Sequence, residues 1–486
     1  MTDMKNVVLV WGWLAAATMA VAQPAYKIDF KIKGWKDTTA YLGNYYGEST
    51  VLKDTALVKG GSFSFDGKKT LPQGVYFLVL GKTKLLDFVV GADQFFQIET
   101  DMQDYTGHLS IKGDEDNRIF LENVNFIQKK QKEAEPFRKV VLDSTLSEAQ
   151  KKDARAALQK LNKEVTTFQD DLFQKHPQLL TTRFLKATRD IEVPEPPRQA
   201  DGSIDSSFQW KYYRQHFFDN FDVGDDALIR LPRPFYQEKI KEYLDKLFVP
   251  DPDTIMKAIN QLVAKAKKNQ ETYKYLVYNC MYNYQNHPIM GMDAVYVRLY
   301  DTYFATGEMD FWVNAAMKKN LKEHADKVRM SLIGMTGPNL IMLDDKLQVQ
   351  SMYDLKKKFT VLYFFNPDCG ACKVETPKLV EFYNKNKTKM SIGVYAVSSD
   401  TSMQKMKDYI RDMKIPFTTV NGPRTLVGNY QKLYDAFSTP TMYVLDERKK
   451  IIAKKIPIEK LEDFLFNYEQ FQKRKEAAAH GGSSGK

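Results

Sequence analysis

Two cysteines stand two residues apart in the run Asn366-Pro367-Asp368-Cys369-Gly370-Ala371-Cys372-Lys373. Thiols at that spacing can close into a disulfide and reopen, supply half of a zinc site, or form an inert structural bridge. Zinc needs four ligands, usually from a second cysteine pair or spaced histidines. The chain has three cysteines, and its six histidines (His108, His176, His216, His287, His324, His480) form no H-x₃₋₅-H pair. No metal site is therefore expected. A bridge closing so small a loop constrains the unfolded chain little, which leaves a structural disulfide as the weaker alternative. The flanking elements favour redox chemistry. Val361-Leu362-Tyr363-Phe364-Phe365 is short, aromatic and β-branched, the pattern of a buried strand. Residues 373–385 carry Val374, Leu379, Val380, Phe382 and Tyr383 at helical spacing. The pair thus sits where a strand hands over to a helix. There the free backbone N–H groups and the positive end of the dipole stabilise a thiolate on Cys369. Cys372, one turn deeper, lies within reach to close the disulfide.

The neighbourhood resembles a known family. Residues 333–471 are similar to the thioredoxin-fold domain of TlpA-like thiol–disulfide oxidoreductases. Gly334-Met335-Thr336-Gly337-Pro338-Asn339-Leu340 resembles that family's opening segment, and residues 351–365 its lead into the central strand. Glu375, three residues after Cys372, falls where many members carry an acidic residue. Ser438-Thr439-Pro440-Thr441, followed by Met442-Tyr443-Val444-Leu445, matches the family's cis-proline loop; a cis bond before proline costs little more than trans and turns the chain sharply. The resemblance implies that Pro440 lies against the dithiol and that the Thr439 backbone pairs with an extended substrate. A strand at 392–397, a helix at 403–413 and a strand at 417–420 fill the interval. That interval exceeds a minimal thioredoxin's and suits the TlpA-like branch with its inserted α/β element.

Three departures qualify the likeness. Asp368 replaces the usual aromatic before the first cysteine, and an anion there is expected to push the Cys369 pKa upward. Tyr363 stands six before Cys369, where thioredoxin keeps a buried acid for proton transfer. Glu375 could take that function, or be a solvated charge on the first turns of a helix. Gly370-Ala371 between the cysteines leaves the redox poise open; such dithiols span roughly −270 to −120 mV.

Near the start, residues 7–17 are apolar but too few to span a bilayer, and Ala20-Val21-Ala22 offers an A-x-A cleavage site. Asp3 spoils the positive start, whereas initiation at Met4 gives an ordinary leader. A cleaved signal peptide over 1–22 is expected, without a lipoprotein anchor because no cysteine follows the run. Export suits disulfide chemistry, which belongs outside the reducing cytosol, and the resemblance narrows the compartment to a bacterial periplasm. No later stretch has eighteen consecutive apolar residues, so no transmembrane segment is expected in the mature protein.

The 486 residues exceed one domain. Expected is a multidomain α+β chain: an N-terminal antiparallel β-sandwich over 23–115, a central α-helical domain over 116–328, a C-terminal thioredoxin-like α/β domain over 329–475, and a disordered tail over 476–486. Tyr26, Ile28, Phe30 and Ile32 alternate with polar neighbours, as do Phe63 and Phe65, and residues 75–80, 88–90 and 95–98 read as further strands. The first two domains resemble uncharacterised modules that accompany TlpA-like domains in Bacteroidetes proteins. The aromatic cluster Phe208, Trp210, Tyr212, Tyr213, Phe217, Phe218 and Phe221 reads as core, not as a peptide groove. Cys280, among apolar neighbours, reads as a buried free thiol.

The balance of 71 Lys plus Arg against 61 Asp plus Glu is spread along alternating helix faces, as in Lys151-Lys152-Asp153-Ala154-Arg155, which argues against a nucleic-acid partner. No phosphate loop or nucleotide fingerprint is present, and no cofactor is expected. The leading reading is an exported thiol–disulfide oxidoreductase acting on protein disulfides, with Cys369 as nucleophile, Cys372 resolving, Glu375 moving a proton, and Thr439 and Pro440 holding the substrate. The resemblance implies the reducing direction and a membrane electron donor. The alternative is a periplasmic binding or assembly protein with a vestigial dithiol. A peroxidase would need Pro-x₃-Thr-x₂-Cys, and Leu362 and Asn366 occupy those proline and threonine positions.

Overall fold

The computed structural model describes residues 24–198 and 201–481; the expected leader over 1–22 lies outside them. The chain forms two compact units, Met1–Lys239 and Ile240–Lys486.

The first unit opens with eight strands: β1 (Tyr26–Lys33), β2 (Thr38–Tyr46), β3 (Ser49–Val58), β4 (Ser62–Gly67), β5 (Gly74–Leu80), β6 (Thr83–Val90), β7 (Phe95–Asp101) and β8 (Ser110–Lys112). They make two four-stranded sheets, β4-β1-β7-β8 and β3-β2-β5-β6. Alternation sends Ile28, Phe30 and Ile32 inward from β1, where they join Leu42, Leu78 and Phe88 of the second sheet in one apolar core. One pairing corrects the expected all-antiparallel sandwich, because β1 and β7 run parallel from Lys27↔Phe95 to Lys33↔Asp101. Alternation reveals which face is buried but not which strand lies alongside, and β7 reaches β1 only after the chain has crossed the second sheet. β3 is an edge strand, with a register shift where Leu42 pairs with Asp54 and Gly43 with Leu52.

Helices follow: α1 (Glu115–Leu142), α2 (Glu148–Lys175), α3 (Leu180–Ala187) and α4 (Phe208–His216). Ser147 and Gln150 form a reciprocal capping box at the start of α2. Asp116 accepts hydrogen bonds from Leu180 N (2.8 Å) and Thr181 N (2.7 Å), joining α1 to the start of α3. In the aromatic cluster, Phe217 and Phe221 are buried, Phe208, Tyr212, Tyr213 and Phe218 half-buried, and Trp210 exposed. The boundary between the units falls inside α5 (Phe235–Lys246), so the helices of 116–328 are shared between them.

The second unit continues with α6 (Pro252–Ala266), α7 (Gln270–Gln285), α8 (Asp293–Leu299) and α9 (Ala315–Arg329). Then come β9 (Ile341–Asp344), β10 (Val349–Ser351), β11 (Phe359–Phe365), α10 (Gly370–Asn386), β12 (Ile392–Ser398), α11 (Met403–Asp412), β13 (Thr418–Thr425), α12 (Tyr430–Leu433), β14 (Thr441–Leu445), β15 (Ile451–Lys454) and α13 (Leu461–Gly481). The strands form one sheet in the order β10-β9-β13-β12-β11-β14-β15, with β11 parallel to β12 and antiparallel to β14. Every residue of β11 is buried, as expected of a central strand covered on both faces. Its period of two divides the core. Phe359, Val361, Tyr363 and Phe365 face α10, α11 and α13, while Leu362 and Phe364 face Tyr430 and Tyr434. Lys454 on β15 is buried, paired with Asp293 at the start of α8, and donates to the Ser331 carbonyl at 3.1 Å. The helix α13 runs through Gly481, so residues 476–481 are helical where a disordered tail was expected. Their Glu-Ala-Ala-Ala run is rich in the strongest helix former and extends α13 without needing tertiary contacts.

Candidate active site

The end of β11 and the start of α10 meet at Asn366. Its side chain accepts from Asp368 N at 2.8 Å and its carbonyl accepts from Cys369 N at 3.0 Å, forming the turn. Cys369 then caps α10: its sulfur accepts from Cys372 N at 3.2 Å, the role an oxygen plays at most helix starts. Both cysteines are free thiols, Cys369 half-buried and Cys372 buried. The Thr439–Pro440 peptide is cis, and the Cys369 thiol donates to the Thr439 carbonyl at 3.4 Å. Cysteines and proline loop, 70 residues apart in sequence, thus meet at one sulfur.

The two thiols differ electrostatically. For Cys369, partial burial opposes ionisation. Hydrogen bonds from the Cys372 thiol and amide, the Thr439 side chain and the Ala371 amide outweigh it, so its pKa is lowered from the ordinary 9.0. For Cys372, burial and the hydrogen bond to Cys369 push the pKa up to about 11, against smaller opposing effects of the Asn366 backbone and Thr439. Such a pair has one sulfur suited to initial attack and one held protonated until needed.

The expected upward push of Asp368 on Cys369 is corrected. The exposed Asp368 carboxylate pairs with Lys405 Nζ at 2.5 Å, and Lys405 holds its pKa below the usual carboxylate range. The lysine stands on the first turn of α11, so the charge beside the dithiol is compensated from another helix.

Glu375 is half-buried and lines a cavity of about 410 Å³ with Tyr363, Ser438, Pro440, Thr441 and Lys455. Lys378 bridges Glu375 at 2.8 Å to Glu459 at 2.5 Å. The carboxylate therefore faces the proline loop while paired on its own helix. Tyr363 is buried in β11, and its hydroxyl meets Thr376 Oγ1 at 3.1 Å, which in turn meets the Tyr409 hydroxyl at 2.7 Å. Thr376 and Tyr409 escaped sequence reasoning. Thr376 carries a local signal, lying four residues beyond Cys372 on the same helix face, but nothing local marks Tyr409 or Lys405. Cys280 is fully buried in α7, and burial pushes its pKa up to about 12, which leaves it inert at neutral pH. Among the described residues no group of three or more His, Cys, Asp or Glu could hold a metal ion.

Three segments match known families: residues 333–454 the AhpC/TSA family, residues 146–327 a domain of unknown function (DUF5106), and residues 26–120 another (DUF4369). Sporulation thiol-disulfide oxidoreductase A of Bacillus subtilis is 29% identical over 103 residues, covering 21% of this chain and 61% of that protein. Probable nucleoredoxin 1 of Arabidopsis thaliana is 30% identical over 125 residues, covering 25% of this chain and 21% of that protein. Among solved structures, a domain of a possible thiol-disulfide isomerase from Cytophaga hutchinsonii is 38% identical, covers 29% of this chain and 97% of that chain, and superposes with a TM-score of 0.28. A thioredoxin-like protein from Bacteroides caccae is 16% identical, with 57% and 99% coverage and a TM-score of 0.44. Residues 333–454 are a thioredoxin-like domain of the AhpC/TSA family, preceded by a β-rich and a helical module of unknown function.

Proposed function

We propose that this chain is an exported thiol–disulfide oxidoreductase that reduces protein disulfides through Cys369 and Cys372. The observation that carries the reading is the unequal thiol pair at the start of α10, with the lowered Cys369 sulfur against the cis-proline loop and Cys372 buried with a pKa of about 11. Cys369 attacks a substrate disulfide and forms a mixed disulfide. Cys372 then attacks Cys369, releasing the substrate thiol and leaving the protein oxidised. Pro440 and Thr439 hold the substrate strand beside the sulfur, and Glu375 moves a proton through the cavity it lines. Leu362 is buried within β11 and Asn366 is spent on the turn, so a peroxide site of the proline–threonine kind has no support.

The reducing direction, a membrane electron donor and a periplasmic location belong to the same proposal. They rest on the likeness to TlpA-like proteins and the expected leader. No described helix is long and apolar enough to cross a membrane.

The test is the reduction potential of the pair, measured by equilibration against glutathione and dithiothreitol buffers. A value near roughly −270 mV fits a reductant, and one near roughly −120 mV reverses the proposed direction. A pair that cannot be reduced without denaturant would be structural, and the proposal would fall.

A further inference from the structure

The loop that brings Thr439 and Pro440 to the dithiol rises from a turn at Asp435, whose backbone φ is +46°. Residues with a side chain enter that left-handed region at a cost, so the turn needs support from outside itself. Its two neighbours are fixed. Tyr434 is buried, its hydroxyl donates to the Pro338 carbonyl at 2.5 Å, and its own carbonyl accepts from the Tyr443 hydroxyl. Ala436 is also buried, and its N–H donates to the Gln431 carbonyl at 3.0 Å. Beyond this base the loop comes out into solvent. Phe437 is 51% exposed, Ser438 is exposed, and the Thr439 carbonyl then meets the Cys369 sulfur.

The Asp435 side chain is mostly enclosed and is gripped from two directions. Lys327 Nζ, on the last turn of α9, reaches one carboxylate oxygen at 2.7 Å, and Lys455 Nζ, just past β15, reaches the other at 3.0 Å. The same Lys327 ammonium lies 4.4 Å from the centre of the Phe437 ring, within cation–π range. Lys327 therefore holds the loop on both sides of Ala436, at the residue that makes the turn and at the aromatic that begins the exposed stretch. Lys455 belongs to the thioredoxin-like domain and lines the cavity beside Pro440. Lys327 does not: it is the last residue of the helical segment 146–327 matched to a domain of unknown function. An exposed ion pair would contribute little. Here both oxygens of a mostly enclosed carboxylate are engaged, and the backbone they hold is one that would otherwise relax.

We infer that Lys327 is a positioning residue for the substrate loop: by holding Asp435 and Phe437 it keeps the Thr439 backbone at Cys369, so that the helical module takes part in presenting an extended protein strand to the thiol. The inference rests on the oxidoreductase reading and gives one part of the helical module a task within it. Lys327 acts on how a strand is held and not on the sulfur chemistry. A disulfide with no peptide strand around it gains nothing from a well-placed loop, whereas one embedded in an extended chain does.

The experiment uses the reduced full chain, in excess, and two probes with the same leaving group: a short extended peptide whose central cysteine carries nitrobenzoate as a mixed disulfide, and free cysteine carrying the same group. In both, the Cys369 thiolate attacks the cysteine sulfur, the new disulfide forms, and the coloured nitrobenzoate thiolate departs. The readout is the rate on the peptide divided by the rate on the amino acid, which cancels any change in the reactivity of Cys369 itself. Expected is a parent ratio well above one, and a fall of about fivefold or more in Lys327→Met and in Asp435→Asn, the shift in loop population when a left-handed turn loses its anchor. Lys327→Arg, which keeps the charge and the contact with the ring, should return most of the parental ratio. Asp435→Asn is nearly isosteric and reads the same pair should Lys327→Met fold poorly. The inference is overturned if either folded variant keeps the parental ratio, which would mark a merely structural role, or if Lys327→Arg falls as far as Lys327→Met. A parent that prefers the peptide no more than the amino acid overturns it too, because the loop then holds no strand. A parent that releases nitrobenzoate from neither probe overturns the oxidoreductase reading itself, an outcome distinct from the others.

Discussion

Alkylation of the reduced protein by iodoacetamide at pH 7 should modify Cys369 and spare Cys372. A thiol with a pKa of about 11 is ionised at pH 7 to about one part in ten thousand, against about one in a hundred for an ordinary thiol of 9.0. Intrinsic reactivity partly offsets this, since a Brønsted slope of 0.4–0.5 over two pKa units makes the rarer thiolate about sixfold to tenfold more nucleophilic. Cys372 should therefore react about tenfold more slowly than an ordinary thiol, before its burial is counted. Cys369, with a pKa below 9.0 and partial exposure, should react faster than that standard. Mass spectrometry of the time course should show a single adduct at Cys369, with Cys280 unmodified because it is fully enclosed. In Cys369→Ala, the rate at Cys372 should climb about tenfold per pH unit between pH 7 and 10, since burial remains the first cause of its raised pKa. Comparable labelling of Cys369 and Cys372 at pH 7, or a flat pH profile at Cys372, would refute the assignment of roles.

Other perturbations follow from the same geometry. Lys405→Met leaves the Asp368 carboxylate uncompensated beside the dithiol, so the pH midpoint of Cys369 alkylation should rise, and adding Asp368→Asn should reverse it. Lys454→Met strands Asp293 and should lower the urea midpoint by the equivalent of about 3–5 kcal/mol, whereas Lys454→Met with Asp293→Leu should recover most of the loss. For Asp435, burial alone would raise the pKa, but Lys327 at 2.7 Å and Lys455 at 3.0 Å hold it below the usual range. A carboxylate depressed by folding contributes stability that is fully present above its unfolded pKa of about 3.9 and lost as pH falls through the lower folded value. Asp435→Asn should accordingly flatten the stability profile below about pH 4, measured by urea unfolding across that range.

Much of the dithiol site was legible because its signals are local. The seven buried residues of β11 announce a central strand, and the dithiol at its end is read from spacing alone. Pro440 was placed by resemblance, since nothing in a single sequence says that a loop 70 residues away returns to Cys369. Lys405 and Tyr409 show the limit. Each is one polar or aromatic residue on α11, and its importance comes from which side chain of α10 or its preceding turn it meets. Misjudging Asp368 has the same origin: the anion was visible, its counter-ion was not. In the first unit, β1 and β4 alternate cleanly, whereas β2 reads Thr-Thr-Ala-Tyr-Leu-Gly-Asn-Tyr-Tyr, with three consecutive buried residues and no strict period.

The edge strand β3 bears on solubility. Its outer backbone could template another chain, and Val51, Leu52 and Leu57 are exposed along it. Two devices blunt that hazard. The register shift leaves Lys53 as the extra residue between Leu52 and Asp54, bending the strand away from the flat form that stacks with copies of itself. Lys53 and Asp54 also place opposite charges between the apolar positions, breaking the uncharged run that self-association prefers. The bulge that interrupts this strand thus helps keep a β-rich module dispersed at high local concentration.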